Sequence, residues 1–163
     1  MEIERKFLIK KLPNNLLDFE SHRIAQGYVS TEPVMRIRQL DDKYLFTIKS
    51  TGLLERIEVE KELTKTEFDD LSTMVKGNVI SKTRYKFPYN EYTVELDIFD
   101  GKFEGLVMAE IEFPDKEKAE SFSAPDFLSV DVTNDPDFQN SRMSEMSSEY
   151  ISEFLKKVSS LTA

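Results

Sequence analysis

Alternation of period two dominates the chain as far as residue 113. Successive side chains of a strand point to opposite faces, so Glu2, Glu4 and Lys6 share one face of a predicted first strand. Ile3, Arg5, Phe7 and Ile9 share the other. The same alternation predicts strands over residues 23–30, 34–40, 43–50, 55–63, 79–89, 93–99 and 106–113. Turn signals at 11–15, Asp41-Asp42 and Asp100-Gly101 separate them, one short helical turn fits 16–21, and a loop is expected at Thr51-Gly52. Gly27 inside a strand marks a bulge or a close backbone approach.

Helical spacing replaces alternation in three places. Thr64 to Glu67 forms a capping box for a helix over 65–76, with Phe68, Leu71, Met74 and Val75 as its apolar positions and Gly77-Asn78 as its stop. Pro114-Asp115 opens a second helix over 116–122. After an irregular stretch holding a short strand at 129–132, a last helix is predicted over 141–159 with a broad apolar stripe from Met143 to Val158. No repeat, low-complexity segment or linker divides residues 1–163, so one domain is expected.

The polar faces of the strands carry charge in a consistent order. Glu2, Glu4, Glu58, Glu60, Glu95, Asp97, Glu110 and Glu112 are the acidic positions, and Lys6, Arg36, Arg38, Lys49, Arg56, Lys82 and Arg84 the basic ones. A single strand of this kind is ordinary where its polar face meets water. Like charges at i and i+2 on strand after strand repel one another, which is costly unless something binds there. A closed barrel with the charges inside and the apolar face outside resolves the pattern and removes open sheet edges. The expected fold class is α+β: an eight-stranded antiparallel closed barrel with helices packed outside it, including a C-terminal helix.

Composition narrows the chemistry. Net charge is −9, with 31 acidic against 22 basic residues, which disfavours a nucleic-acid or anionic-membrane partner. With no cysteine and one histidine, His22, thiolate and histidine metal sites drop out. Any metal is then a hard cation on carboxylate oxygens, such as Mg²⁺ or Mn²⁺. No apolar run approaches the ~20 residues of a membrane span, and a first strand at residue 2 leaves no room for a signal peptide, so a cytoplasmic protein is expected. Lysine and arginine suit phosphate oxygens, and carboxylate pairs suit a metal that bridges protein and phosphate. Phosphoryl transfer by positioning and charge neutralisation follows.

Glu2-x-Glu4-x-Lys6 resembles the ExExK signature of the CYTH superfamily, the triphosphate tunnel metalloenzymes. Arg36-x-Arg38, Lys49, Glu58-x-Glu60, Lys82-x-Arg84, Glu95-x-Asp97 and Glu110-x-Glu112 recur in the family's order. The resemblance implies an eight-stranded tunnel acting on tripolyphosphate, thiamine triphosphate or nucleoside triphosphates with a divalent metal. Compact bacterial members are mostly inorganic triphosphatases. By position, Lys6, Arg36, Arg38, Lys49, Lys82 and Arg84 would grip the triphosphate, and Glu2, Glu4, Glu95, Asp97, Glu110 and Glu112 would hold Mg²⁺ or Mn²⁺. Glu4 or Glu60 would accept a proton, and Tyr28 beside Lys82 would assist at the terminal phosphate. The C-terminal helix either closes one tunnel mouth or packs on the barrel exterior.

The leading expectation is metal-dependent hydrolysis of inorganic triphosphate by a monomer or homodimer. The alternatives are a thiamine or nucleoside triphosphatase, a class IV-type adenylyl cyclase, and a non-catalytic polyphosphate-binding module. No segment is devoted to adenine, and Phe127 and Phe138 are the loop aromatics available to a thiamine ring. His22 has no partner visible in the sequence, Asp135 and Asp137 flank a proline as turn residues do, and Arg142 fits either a tunnel mouth or a surface ion pair.

Overall fold

The computed structural model describes residues 1–50 and 54–163, and the loop expected at Thr51-Gly52 lies outside them. Ten strands form among the described residues: β1 (Glu2–Ile9), β2 (Glu20–Thr31), β3 (Val34–Leu40), β4 (Lys43–Lys49), β5 (Glu55–Arg56), β6 (Glu58–Leu63), β7 (Lys76–Tyr89), β8 (Tyr92–Phe99), β9 (Val107–Glu112) and β10 (Leu128–Asp131). They pair in the order β10-β1-β9-β8-β7-β2-β3-β4-β6, with β5 returning to β1 through Glu2 opposite Arg56. Because β5 runs directly into β6, this pairing brings the last strand of the sheet round to the first and nearly closes a barrel. The expected single strand over 55–63 is thus two, broken at Ile57, and the tight β3–β4 and β7–β8 turns carry Asp41 and Asn90 at φ 54° and 53°.

The two faces of the sheet bury different things. Outward residues of β1, β8 and β9, among them Phe7, Leu96, Ala109 and Ile111, pack with Ala119 of α2 (Lys116–Ser121) and with Phe122 and Phe127. The inward face changes character along each strand. Lys6 is followed two residues on by Leu8, Asp97 by Phe99, and Ile80 and Met108 precede Lys82 and Glu110 by the same step. Leu8, Ile80, Phe99 and Met108 form the other core, with Phe138, Met143 and, from the last helix, Ile151, Phe154 and Val158. The C-terminal segment therefore packs against the apolar end of the barrel lining and stops that end, leaving the charged end open.

The predicted last helix is two helices. α3 (Asn140–Met143) and α4 (Ser148–Leu161) are separated because Asn78 Nδ2 donates to the Met143 and Met146 carbonyls at 3.0 and 2.9 Å, and Ser147 caps α4 by accepting from the Tyr150 amide. The capping box opens α1 (Lys65–Ser72) as expected, but α1 stops four residues short of 76 and Gly77-Asn78 begins β7 instead. Gly27 does sit at a register shift, and an added Cβ there would come within 2.7 Å of Val75. Helices pack outside the barrel as expected, while Ile48, Ile57 and Val59 remain exposed on β4 and around the β5–β6 break.

Gly77 has a φ of 71°, and a Cβ there would lie 2.1 Å from the Ser144 carbonyl oxygen. Both strain and collision oppose a side chain. Gly77→Ala is expected to destabilise the fold by more than about 1 kcal/mol, measured by urea unfolding; an unchanged midpoint would mean that the C-terminal segment is not docked on β7.

Candidate active site

The charged half of the barrel encloses a cavity of about 570 Å³, within the size range of small-ligand sites. Strand periodicity delivers its lining. Glu2, Glu4 and Lys6 come from β1, Gln26 and Tyr28 from β2, Arg36 and Arg38 from β3, and Lys49 from β4. The rest of the lining is Arg56, Glu58, Lys82, Arg84, Glu95, Glu110 and Glu112, and α3 with its flanks adds Gln139, Asn140, Arg142 and Glu145.

Its cationic floor is built around one carboxylate. Asp97 has no solvent exposure; Arg84 donates to both its oxygens at 2.7 and 2.9 Å, and Lys82 Nζ lies 2.7 Å away. Burial opposes ionisation of Asp97, but Arg84 and Lys82 outweigh it and hold its carboxyl below the usual range. Burial, partly offset by Asp97, pushes the Lys82 ammonium down to about 8. Burial also lowers Arg38, next to Arg36 and Arg84, to about 9, which leaves it charged at neutral pH. A hydrogen-bonded chain positions these cations: Arg38 Nε donates to Gln26 at 2.7 Å, Gln26 Nε2 donates to Asn140 Oδ1 at 3.0 Å, and Lys82 Nζ donates to the same oxygen at 2.9 Å.

At the opposite side of the cavity the carboxylates gather. Arg56 Nη2 donates to Glu2 at 2.7 Å and also to Glu4, and Lys49 Nζ reaches Glu2 at 3.3 Å. Burial alone would raise Glu2, but its hydrogen bond with Glu58 and the charges of Lys49 and Arg56 hold it at about 2. Burial and then the Glu110 carboxylate push Glu4 up to about 7; burial and the bond to Glu2 do the same to Glu58. Two buried guanidinium nitrogens, Arg36 Nε and Arg56 Nε, have no hydrogen-bond partner among the described residues. An unmet buried donor costs about 1–3 kcal/mol, a cost relieved when either guanidinium moves onto an anion.

Every basic residue expected to grip substrate lines this cavity, as do Glu2, Glu4, Glu95, Glu110, Glu112 and Tyr28. Asp97 does not, being enclosed by Lys82 and Arg84. Glu60 does not either: its side chain is 41% exposed, and it accepts from Thr47 and lies 3.9 Å from Arg36. Arg56, present in the sequence pattern but given no role, Glu58, Gln26 and Asn140 are additions. The acidic and basic motifs have spacing that reveals them; Gln26 and Asn140 are neutral residues with none. His22 does have partners, Asp41 at 2.7 Å and Glu20 at 2.6 Å, away from the cavity. Asp135 accepts from the Asp137 amide, as a turn residue should. Arg142 is exposed at the rim.

Among the described residues no three acidic or histidine side chains already converge on one metal position. The donors nevertheless fit a hard cation: they are all carboxylate oxygens, and Glu2 and Glu4 already share one cationic nitrogen between them.

The family model for the CYTH domain matches residues 1–127. The chain belongs to the CYTH family. Two curated CYTH-like relatives are named inorganic triphosphatase. One, from Nitrosomonas europaea, is 36% identical over 85% of this chain and 93% of its own. The other, from Acetivibrio thermocellus, is 36% identical over 87% of this chain and 92% of its own. The crystal structure of an inorganic triphosphatase superposes with a TM-score of 0.68 at 30% identity, covering 90% of this chain and 96% of that one. The CYTH match ends near the start of β10, so Asn140 and the C-terminal helices lie beyond it.

Asp97→Asn would leave Lys82 and Arg84 buried with a neutral partner, and a loss of about 3–5 kcal/mol is expected on urea unfolding. Glu112→Gln, at the exposed mouth, should stay within about 0.5 kcal/mol. Equal effects would show that the floor does not depend on Asp97.

Proposed function

We propose that this CYTH chain, working as one unit over residues 1–163, is a cytoplasmic enzyme that hydrolyses the terminal phosphate of inorganic triphosphate with Mg²⁺ or Mn²⁺. The products are pyrophosphate and phosphate. The observation that carries this reading is the crowding of Lys6, Arg36, Arg38, Lys49, Lys82 and Arg84 around one cavity. Like charges held together in a poorly solvated space require a polyanion to relieve them. The two relatives named inorganic triphosphatase support the substrate.

Absence of a stacking surface favours inorganic triphosphate over nucleotides or thiamine triphosphate. Tyr28 is the one aromatic side chain among the described lining residues. Phe127 sits with Phe87 and Tyr89 on the outer face, and Phe138 is wholly buried against Phe154, so neither reaches a ring bound at the mouth.

In this reading Lys6, Arg36, Arg38, Lys49, Lys82 and Arg84 hold the phosphoryl oxygens and align the chain of phosphates. Glu2, Glu4, Glu95, Glu110 and Glu112 are the carboxylates that would hold the metal, which when bound supplies Lewis acidity and charge neutralisation at the phosphoryl oxygens. Burial raises the Tyr28 phenol, so it stays protonated and donates a hydrogen bond rather than acting as a base. Glu58, near 7 and not among the metal-holding carboxylates, is poised to take up the proton released by an attacking water at neutral pH, a role Glu4 can fill only where no metal holds it. Glu60 is less suited to that role because it stands outside the lining.

Phosphate release from tripolyphosphate, ATP and thiamine triphosphate, with metal and with EDTA, tests the function. Tripolyphosphate should be preferred and EDTA should abolish release; tight tripolyphosphate binding with no release from any substrate would sink the reading. Activity is expected to fall as pH drops through about 7, because protonated Glu4 and Glu58 can neither bind metal nor accept a proton. Arg38→Ala should raise KM for tripolyphosphate by on the order of 10–100-fold if it makes a buried charge-assisted contact. Glu4→Gln should lose activity that excess Mn²⁺ restores in part.

A further inference from the structure

Arg56 stands where a metal is expected. Its Nη2 donates to Oε1 of Glu2 at 2.7 Å and to Oε1 of Glu4, so a single cationic nitrogen bridges the two carboxylates. The guanidinium is buried, and its Nε has no partner among the described residues. Other cations are more distant from the pair: Lys49 Nζ is 3.3 Å from Glu2, and Lys6 Nζ is 3.9 Å from Glu4. Arg56 is therefore the cation in direct contact with Glu4, with Lys6 adding its charge from farther away. It is held there by β5, whose two residues pair with the start of β1.

We propose that Arg56 is a tethered cation that fills the Glu2–Glu4 pair in the free protein and exchanges places with the divalent ion when triphosphate enters. The proposal rests on the reading of this cavity as a metal-dependent triphosphate site. A metal arriving alone must displace a guanidinium whose other neighbouring carboxylate, Glu110, is already engaged by Lys6 and Arg84. A phosphoryl oxygen provides a free anion, and Nε, which has no hydrogen-bond partner among the described residues, can gain one when the guanidinium turns to it. Triphosphate thus frees the carboxylates for the metal, and by reciprocity the metal frees Arg56 for the triphosphate. The two ligands bind as a coupled pair, and metal held without substrate is disfavoured.

The test is Mn²⁺ binding to the free protein, followed by calorimetry and by Mn²⁺ electron paramagnetic resonance with no phosphate present. Arg56→Gln should bind Mn²⁺ more tightly than the wild type, by on the order of tenfold. Lys49→Gln, which removes an equal charge beside Glu2 without opening the bridge, should give a clearly smaller gain. Arg56→Lys keeps the charge but loses the forked geometry and should fall between wild type and Arg56→Gln. It also serves where Arg56→Gln folds poorly by circular dichroism. Unchanged or weaker Mn²⁺ binding in the Arg56 variants, or an equal gain in Lys49→Gln, overturns the exchange. Adding Glu4→Gln to Arg56→Gln should abolish the gain. Persistent tight binding in that double variant overturns the assignment of the metal to Glu4, a failure of the functional reading distinct from failure of the exchange alone.

Discussion

The cationic wall of this barrel depends on Asp97. A lysine with 1% exposure and an arginine with 8% exposure cannot stay charged beside each other without a counter-charge, and Asp97 supplies it through the forked Arg84 contact and Lys82. Glu95 and Glu110 lie 3.4 and 3.9 Å from Arg84 as well, and the local positive surplus comes from Arg38 and Arg36 beside them. Phe99 adds its ring face beneath Lys82, 5.1 Å from Nζ. The site is thus poised between folding and binding: ionised enough to attract a polyanion, and compensated enough to fold without one.

A second constraint is the change of polarity along the inward faces. On β1, β7, β8 and β9 the same side of the strand carries charge toward one end and large apolar groups toward the other. The apolar end demands cover, and the stripe of α4 provides it through Ile151, Phe154 and Val158. Closing that end brings α3 close to the charged half. Asn140 can then hold Lys82 and Gln26 at once, and through Gln26 it steadies Arg38. A packing requirement at one end of the barrel thereby orders side chains in the site at the other.

Carboxylates and guanidinium groups divide the cavity between them. The Asp97 side presents surplus cations, while the Glu2–Glu4 side presents carboxylates that share Arg56. Phosphate oxygens and a hard metal ion want these two environments next to each other, and the barrel wall supplies both by setting Lys6 opposite Glu110, Lys49 opposite Glu58 and Arg84 opposite Asp97 on neighbouring strands. Arg56 is at the meeting point. It belongs to the carboxylates in the free protein, and it lines the ligand space.

Period-two alternation was enough to identify the barrel, its charged lining and nearly every ionic residue of the site, because a strand's facing is a local property of one or two neighbours. ExExK and the motifs after it carried the family. Tertiary structure alone decided the rest. Asp97 and Glu60 carry the same spacing as Glu110 and Glu58, yet one is locked behind two cations and the other stands half-exposed outside the lining. Helical periodicity over 141–159 could not reveal the break at 144–147, which depends on an Asn78 side chain from a strand far away in sequence. Asn140 and Gln26 have no charge pattern, and the Arg56 bridge exists because β5 turns back onto β1. Local chemistry sets which face a side chain takes; closure of the barrel sets which side chains meet.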